Sequence, residues 1–409
     1  MIVTRPTIES SFIITLGVMT AIAALTVDIS LPAVPSMVVD LATSLSKGQQ
    51  IVGIFVAGMA FGQIPAGLVS DRVGRLPVLY AGMTLFAVAA IAAALAESIE
   101  LMLLARFCQG IGAAAAMVLA RAIVRDIASG KEAARLMSLM TMIFTAAPVI
   151  APTFGALLVA QWGWRAPFVA IAMLGVMILI AIRVNIHETH SGNAVGHPVR
   201  QLLSSFSEFF SHRQSIFGLL LLIIPPAGYM SIIALAASLV VKTYGYSITD
   251  FGYIFATAGG SILLGAAINR QLVARFESSQ IIVIGVSTMA LGSAQLALIG
   301  WLGSAPLAWL WSCVCLFMFS IALIIPNATV IALDPLPKIA GVASSIIGTL
   351  QNISGASGAL LGAIIYDGSL FRSVIIMACA GLLNTTVLLS RKLIVPHGIV
   401  HHPDELARD

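Results

Sequence analysis

Apolar residues run through this chain in long blocks separated by short polar breaks. Twelve such runs stand out, at roughly 12–36, 49–69, 77–96, 101–122, 137–160, 166–185, 216–241, 250–268, 280–301, 307–331, 341–365 and 373–393. Each is about as long as the 20 or so residues a helix needs to cross a hydrocarbon layer. Inside that layer no water satisfies the backbone, so only helices and closed barrels span it. Barrel strands would show short alternating segments, which are absent here. The pattern predicts an all-α integral membrane protein with twelve transmembrane helices. The first run is too long for a signal-peptide core and lacks a cleavage site, so it is read as a retained helix.

Composition agrees: 59% of the 409 residues are hydrophobic and 9% are charged, against about 25% charged in a soluble domain. The placement of the charges adds an orientation. With twelve spans, both termini share one side. That side carries sixteen of the 21 Lys and Arg residues, the other side four, and Arg106 lies within a span. The positive-inside rule assigns the basic side to the cytoplasm. The net charge of +4 belongs to those loops and gives no reason to invoke nucleic acid.

The connections divide the chain. Six spans precede residues 187–214 and six follow, giving a bundle over 1–186, a linker over 187–214, a second bundle over 215–395 and a tail over 396–409. In the linker, Leu202, Leu203, Phe206, Phe209 and Phe210 recur at helical spacing. Such a stripe fits a short amphipathic helix on the membrane surface, or a plain linker. The two bundles look related. The second span ends in GLVSDR (67–72) and the eighth in GAAINR (265–270), with Gly, Asp or Asn, and Arg in register. Internal symmetry of this kind marks many secondary transporters.

Several polar groups sit where oil is expected. Asp28, in AIAALTVDISLPAVP, lies seven residues before Pro35, so about 10 Å from that end of the helix. Arg106 lies five residues after Leu101, or about 8 Å in. The two are at matching depth, and Arg106 is expected to bias the titration of Asp28. A charge at such depth marks a functional site by default. The alternatives are a backbone cap for Asp28 and snorkelling for Arg106. Gly112, Ala116 and Ala120 form a small-residue stripe suited to close helix approach. In AAPVIAPTFGALL (146–158), Pro148, Pro152 and Gly155 permit a bend or mark a kinked packing helix.

Read together, these stretches resemble the major facilitator superfamily. GLVSDRVGR (67–75) resembles its hallmark loop, although Leu76 stands where the family often has a further basic residue. The resemblance implies a gate on the basic side built from Gly67, Asp71, Arg72, Gly74 and Arg75. Asp126, in RAIVRD, would be a partner of Arg75 or an ordinary helix-end salt bridge. LARFCQGIGAAAA (104–116) resembles the fourth-helix motif. The Pro-containing stretch resembles the mark of the antiporter branch, with Ala at 147, 151 and 156 in place of Gly. The double Ala-Pro spacing, DISLPAVP (28–35) and IPNATVIALDPLPKIAGVASSIIGTLQ (325–351) are similar to the bicyclomycin-resistance-type (Bcr/CflA) drug exporters.

The resemblance implies two pseudo-symmetric six-helix bundles around a central cavity. It also implies proton-coupled export of small lipophilic neutral or cationic compounds across a bacterial inner membrane. Asp28 and Arg106 would couple protons; Asp28, Phe55, Gln109, Tyr229, Asn327 and Gln351 are the candidate substrate contacts. An importer or facilitator on the same fold, or an exporter of some metabolite, is the alternative. A membrane enzyme or receptor would need a catalytic cluster or a soluble domain, and the sequence offers neither. No cofactor is expected beyond protons as the coupling ion. No metal, disulfide, nucleic acid or obligate protein partner is expected either, and the chain is read as a monomer in the bilayer. HETH (187–190) departs from the HExxH zinc pattern and reads as a solvated segment of a mobile loop.

Overall fold

The computed structural model describes residues 10–190 and 198–395. The linker residues between these ranges and the tail histidines 397, 401 and 402 lie outside the described residues.

The first apolar run is helix α1 (Ser10–Ser30), a 3-10 turn over Leu31–Ala33, and α2 (Val34–Asp40). Pro32 and Pro35 remove backbone donors there, which is why the helix breaks. Next come α3 (Leu45–Val73), α4 (Arg75–Ala94), α5 (Ile99–Ile127), α6 (Gly130–Trp162) and α7 (Ala166–Asn185). Helix α8 (Pro198–Ser211) bridges to α9 (Arg213–Ser238), α10 (Ile248–Leu272), α11 (Ser278–Leu302), α12 (Leu307–Leu333), α13 (Ala340–Ile365), α14 (Leu370–Leu389) and the short α15 (Arg391–Ile394). Serine caps start many of these helices: Ser44, Ser98, Ser247 and Ser369 each accept a bond from a first-turn amide.

Among the described residues, eleven helices are long and apolar enough to cross a membrane. The twelfth expected span is α13, which is equally long but fails on apolarity. It carries Ser344, Ser345, Thr349, Gln351, Asn352, Ser354 and Ser357 among five glycines. Most of those side chains are partly or fully buried, with Ser345 and Ser357 exposed, and α13 packs between α3 and α9, which lowers the cost of its polar residues.

Packing repeats between the halves. In the first, α1 lies against α5, α6 and α7, α4 against α5 and α7, and α3 against α5. In the second, α9 lies against α12, α13 and α14, α11 against α12 and α14, and α10 against α12. Each neighbour pair of one bundle has its counterpart in the other, which is the pseudo-symmetry the two GxxxDR-like stretches suggest. The bundles meet along two long seams, α3 with α13 and α6 with α10. On the face opposite the basic loops, Leu31–Ala33 and α2 also pack against α9. Helix α8 rests on α9 and α13, burying Phe209 and leaving Leu203 and Phe210 exposed; the Leu202 side chain lies outside the described residues.

Candidate functional site

Asp28 sits on the last turn of α1, just before the proline break, and is 5% exposed. No backbone amide caps it, and among the described residues it makes no hydrogen bond or ion pair. The capping alternative is therefore not what the structure forms. Asp28 lies within electrostatic reach of the Tyr229 phenol, on α9 of the other bundle. Within the first bundle, a Cβ on Gly155 of α6 would collide with the Ile29 carbonyl. The turn that follows Asp28, Leu31–Ala33, packs against α9, so Asp28 stands near the junction of the halves, within electrostatic reach of Tyr229.

Arg106 does not join Asp28. Its guanidinium is fully buried inside the first bundle. It donates to the Gln109 side-chain oxygen (2.7 Å), the Ile51 carbonyl (3.3 Å) and Ser30 Oγ (3.4 Å). It also stacks 4.5 Å from the Phe55 ring centroid and 5.9 Å from that of Phe168. Matching depth is real, but azimuth decides contact. Ser30, two residues past Asp28, is the α1 group that Arg106 meets, and two residues along a helix turn to another face. Arg106 joins α1, α3, α5 and α7 rather than snorkelling to an interface. Gly112 packs on α4, where a Cβ would stand too close to Gly82 O and Phe86; Ala116 and Ala120 are buried.

The remaining candidate substrate contacts divide the same way. Phe55 and Gln109 are fully buried around Arg106 and do not face the junction of the halves. Asn327 donates to Asn269 Oδ1 on α10 (2.8 Å) and to Leu323 O (2.8 Å). Gln351 donates to Leu222 O on α9 (3.3 Å), inside the second bundle. Of the six, Asp28 and Tyr229 come within electrostatic reach of each other from opposite halves. A cross-half pair without any motif to flag it is Gln63 with Thr349, whose hydroxyl donates to Gln63 Oε1 (3.2 Å) on the α3–α13 seam.

At the basic face several of the residues expected in a gate cluster around Arg75. Its Nε and Nη2 bond both oxygens of Asp126 (2.9 and 3.3 Å), a fork-to-fork pair. Its Nη1 bonds Ser70 Oγ (2.8 Å) and Asp71. Arg75 is 7% exposed, so the cluster rigidly ties α3, α4 and α5. Arg72 is exposed. Gly67 lies beside Val118 of α5. Gly74 turns the chain between α3 and α4 at φ +97°, a region closed to most side chains.

The HETH segment contacts this cluster, although His187 and Glu188 remain exposed. Glu188 accepts from the amides of Arg75 (2.8 Å) and Leu76 (2.9 Å), capping α4. A Cβ on Gly74 would stand 2.7 Å from Glu188 Oε2. Thr189 Oγ1 donates to Asp126 (3.0 Å), and the His190 ring meets the Asp71 carbonyl (3.2 Å). Burial alone would push the Glu188 carboxyl up; the amides of Leu76, Arg75, His190 and Thr189 outweigh it and hold the carboxyl below the usual range. In the second bundle, Gly265 packs on Phe319 and Ala322 of α12, and Asn269, in register with Asp71, accepts from Asn327 of α12.

The antiporter-like stretch lies in the α6–α10 seam. Pro148 and Pro152 occur within the continuous helix α6. Opposite them are two glycines of α10. A Cβ on Gly259 would stand 2.6 Å from Pro148 C and O, and one on Gly252 would stand 2.9 Å from Thr153 Cα. Thr153 Oγ1 donates to the Gly252 carbonyl (3.1 Å). The spacing of seven places both glycines on one face of α10, a signal readable in the sequence only once the partner helix is known. Among the described residues no His, Cys, Asp or Glu group could hold a metal ion.

A family model described as Major Facilitator Superfamily matches residues 16–359. A bicyclomycin resistance protein homolog of Haemophilus influenzae is 27% identical over 87% of this chain and 88% of its own length. Multidrug resistance protein D of Escherichia coli is 27% identical over 91% of this chain and 93% of its own. The crystal structure of a D-xylose-proton symporter superposes with a TM-score of 0.76 at 18% identity, covering 95% of this chain and 98% of that one; at that identity the likeness concerns the fold.

Proposed function

The chain belongs to the major facilitator superfamily, and we propose that it is a proton-coupled antiporter that exports small lipophilic neutral or cationic compounds. It is a multi-pass membrane transporter by family and relatives rather than an enzyme. The relatives' names, a bicyclomycin resistance protein homolog and a multidrug resistance protein, favour drug-like cargo. The basic-loop asymmetry favours an inner membrane with both termini in the cytoplasm. The protein acts here as a monomer in the bilayer, with protons as coupling ion and no cofactor.

The observation that carries the reading is Asp28, an acid without a hydrogen bond at the junction of the halves. In this reading Asp28 takes a proton when its side of the junction opens outward. Cargo entering from the cytoplasm competes with that proton, and each event biases one two-state rocking of the bundles. Tyr229 supplies the facing wall from the other bundle. Arg75 with Asp71, Asp126 and Glu188 keeps the cytoplasmic ends of α3, α4 and α5 moving as one body. Arg106 holds the first bundle rigid, so that a change at Asp28 moves the bundle as a whole.

The test uses inside-out vesicles with an acid interior and a pH-sensitive dye, with a panel of lipophilic antibiotics and dyes. Wild type is expected to release protons on addition of cargo, and Asp28→Asn is not. Full proton-driven transport by Asp28→Asn would remove the carboxyl from the mechanism.

A further inference from the structure

Two arginines on α5 have no role in the site described above. Arg121 and Arg125 are one helical turn apart, on the same face of the helix. Both are exposed, and Arg121 lies within electrostatic reach of Arg125. Among the described residues neither makes a hydrogen bond or an ion pair. The acids around them are already engaged: Asp71 and Asp126 bind Arg75, and Glu188 caps α4. Arg121 precedes the end of α5 at Ile127 by six residues, so it sits about 9 Å inside that end. A guanidinium at that depth is costly against lipid and is tolerated where it faces a water-filled space.

Arg125 reaches across to the other half at the basic face. Nη1 of Arg125 lies 2.9 Å from where a Cβ on Gly341 would stand, and Gly341 is in the first turn of α13, across the α3–α13 junction. Glycine leaves room for the guanidinium there. The facing wall gives it nothing to bind: Ser344 and Ser345 spend their hydroxyl protons on Ala340 O and Gly341 O of their own helix. Two like charges one turn apart repel. Arg106 makes the contrast clear, since a buried arginine of the same helix is fully engaged by oxygens and rings.

We propose that Arg121 and Arg125 form an anion-binding site at the mouth between the halves, which takes a carboxylate or phosphate group carried by a lipophilic acid or by a membrane lipid headgroup. Guanidinium forks match both groups in geometry, and a pair of them raises the local concentration of anions at the mouth while disfavouring multiply charged cations. The site requires no proton movement, so it stands or falls separately from the antiport reading.

The test is binding to the full chain in phosphatidylcholine nanodiscs, read by the fluorescence of 11-(dansylamino)undecanoic acid and of its methyl ester, with empty discs subtracted. Wild type is expected to bind the acid more tightly than the ester. Arg121→Gln with Arg125→Gln is expected to weaken acid binding by about tenfold or more, the size of a lost charge-assisted hydrogen bond, and to leave the ester unchanged. Arg121→Lys with Arg125→Lys keeps the charge and is expected to fall between the two. Adding phosphatidylglycerol to the discs separates the sources. Competition with the acid in wild type alone assigns the site to a lipid headgroup; no competition assigns it to a soluble acid. Equal binding of acid and ester by wild type overturns the proposal whatever the variants do, as does an acid preference that survives both Gln substitutions.

Discussion

Glu188 closes the amino end of helix α4 by accepting from the amide of Arg75 at 2.8 Å, and Arg75 in turn grips Asp126 at 2.9 Å. One residue beyond the sixth span therefore fixes the backbone of the residue that organises the gate. The amides favour the charged carboxylate, so its titration in the folded protein is held below the usual glutamate value of about 4.3. A lowered value means stability that is present above the unfolded-state value and lost as pH falls through the folded one. Glu188→Gln is expected to cost about 1 kcal/mol at neutral pH, the usual size of a lost helix cap. The gap between variant and wild type should close below about pH 4. Thermal melting of both proteins from pH 7 to pH 3.5 checks this, and a gap that ignores pH would mean that the charge is not what holds α4.

The two bundles test ionic against neutral wiring of the same architecture. Arg75 is buried between two carboxylates, so Arg75→Ala leaves Asp71 and Asp126 facing each other without a cation. The expected loss is about 3–5 kcal/mol. In the second bundle, Asn327→Ala removes the amide pair with Asn269 and is expected to cost only about 1 kcal/mol. Urea or heat unfolding of the two variants in one detergent gives the comparison. Equal losses would show that Arg75 contributes no more than a neutral hydrogen bond.

Much of this was legible from the chain alone, and the limits have a physical form. Long apolar runs fix helix number, because hydrocarbon leaves the backbone no other partner. α13 shows that a helix walled by other helices can keep its length and give up its apolarity. The Arg75–Asp126 pair was readable because Arg75 opens α4 and Asp126 ends α5 at the same face. Depth could be counted along a helix, as for Asp28 and Arg106. The direction in which each side chain points could not, and that decided their partners: Arg106 turned to Ser30 and Phe55, Asp28 to Tyr229. The contacts of the HETH segment could not be read because its partners lie 63 to 119 residues earlier, and a short polar stretch carries no periodicity to betray them. The glycines of α10 gained meaning only from the prolines of α6 that they face.

Arg106 gives a prediction that separates a structural anchor from a titration partner. Its engaged atoms are oxygens of Gln109, Ile51 and Ser30 and the rings of Phe55 and Phe168. Phe55→Leu keeps the volume close and removes the nearer ring face; the expected cost is about 1–2 kcal/mol in melting stability. Because Asp28 makes no ion pair with Arg106, the same substitution should leave the pH midpoint of transport where it is in wild type. A pH profile that moves with Phe55→Leu would reveal a coupling between Arg106 and Asp28 that the resting geometry does not contain.

The α6–α10 seam offers the sharpest test of how the halves move on each other. Gly259 and Gly252 let the backbone of α10 lie against Pro148, Pro152 and Thr153, and any side chain at Gly259 would stand 2.6 Å from the Pro148 carbonyl. Such a clash with backbone cannot be relieved by a rotamer change. It has to push α10 away from α6, and so alter the spacing of the halves. Gly259→Val is therefore expected to lower the transport rate by tenfold or more, on the order of 1.4 kcal/mol in the barrier to rocking, with each bundle still folded. Thr153→Val removes only the hydrogen bond to Gly252, worth about 1 kcal/mol, and should act in the same direction more weakly. Transport rate and melting temperature measured side by side decide the matter. If Gly259→Val transports at the wild-type rate, the close approach of these two helices serves packing alone; if rate falls while melting holds, the seam is the surface on which the bundles turn.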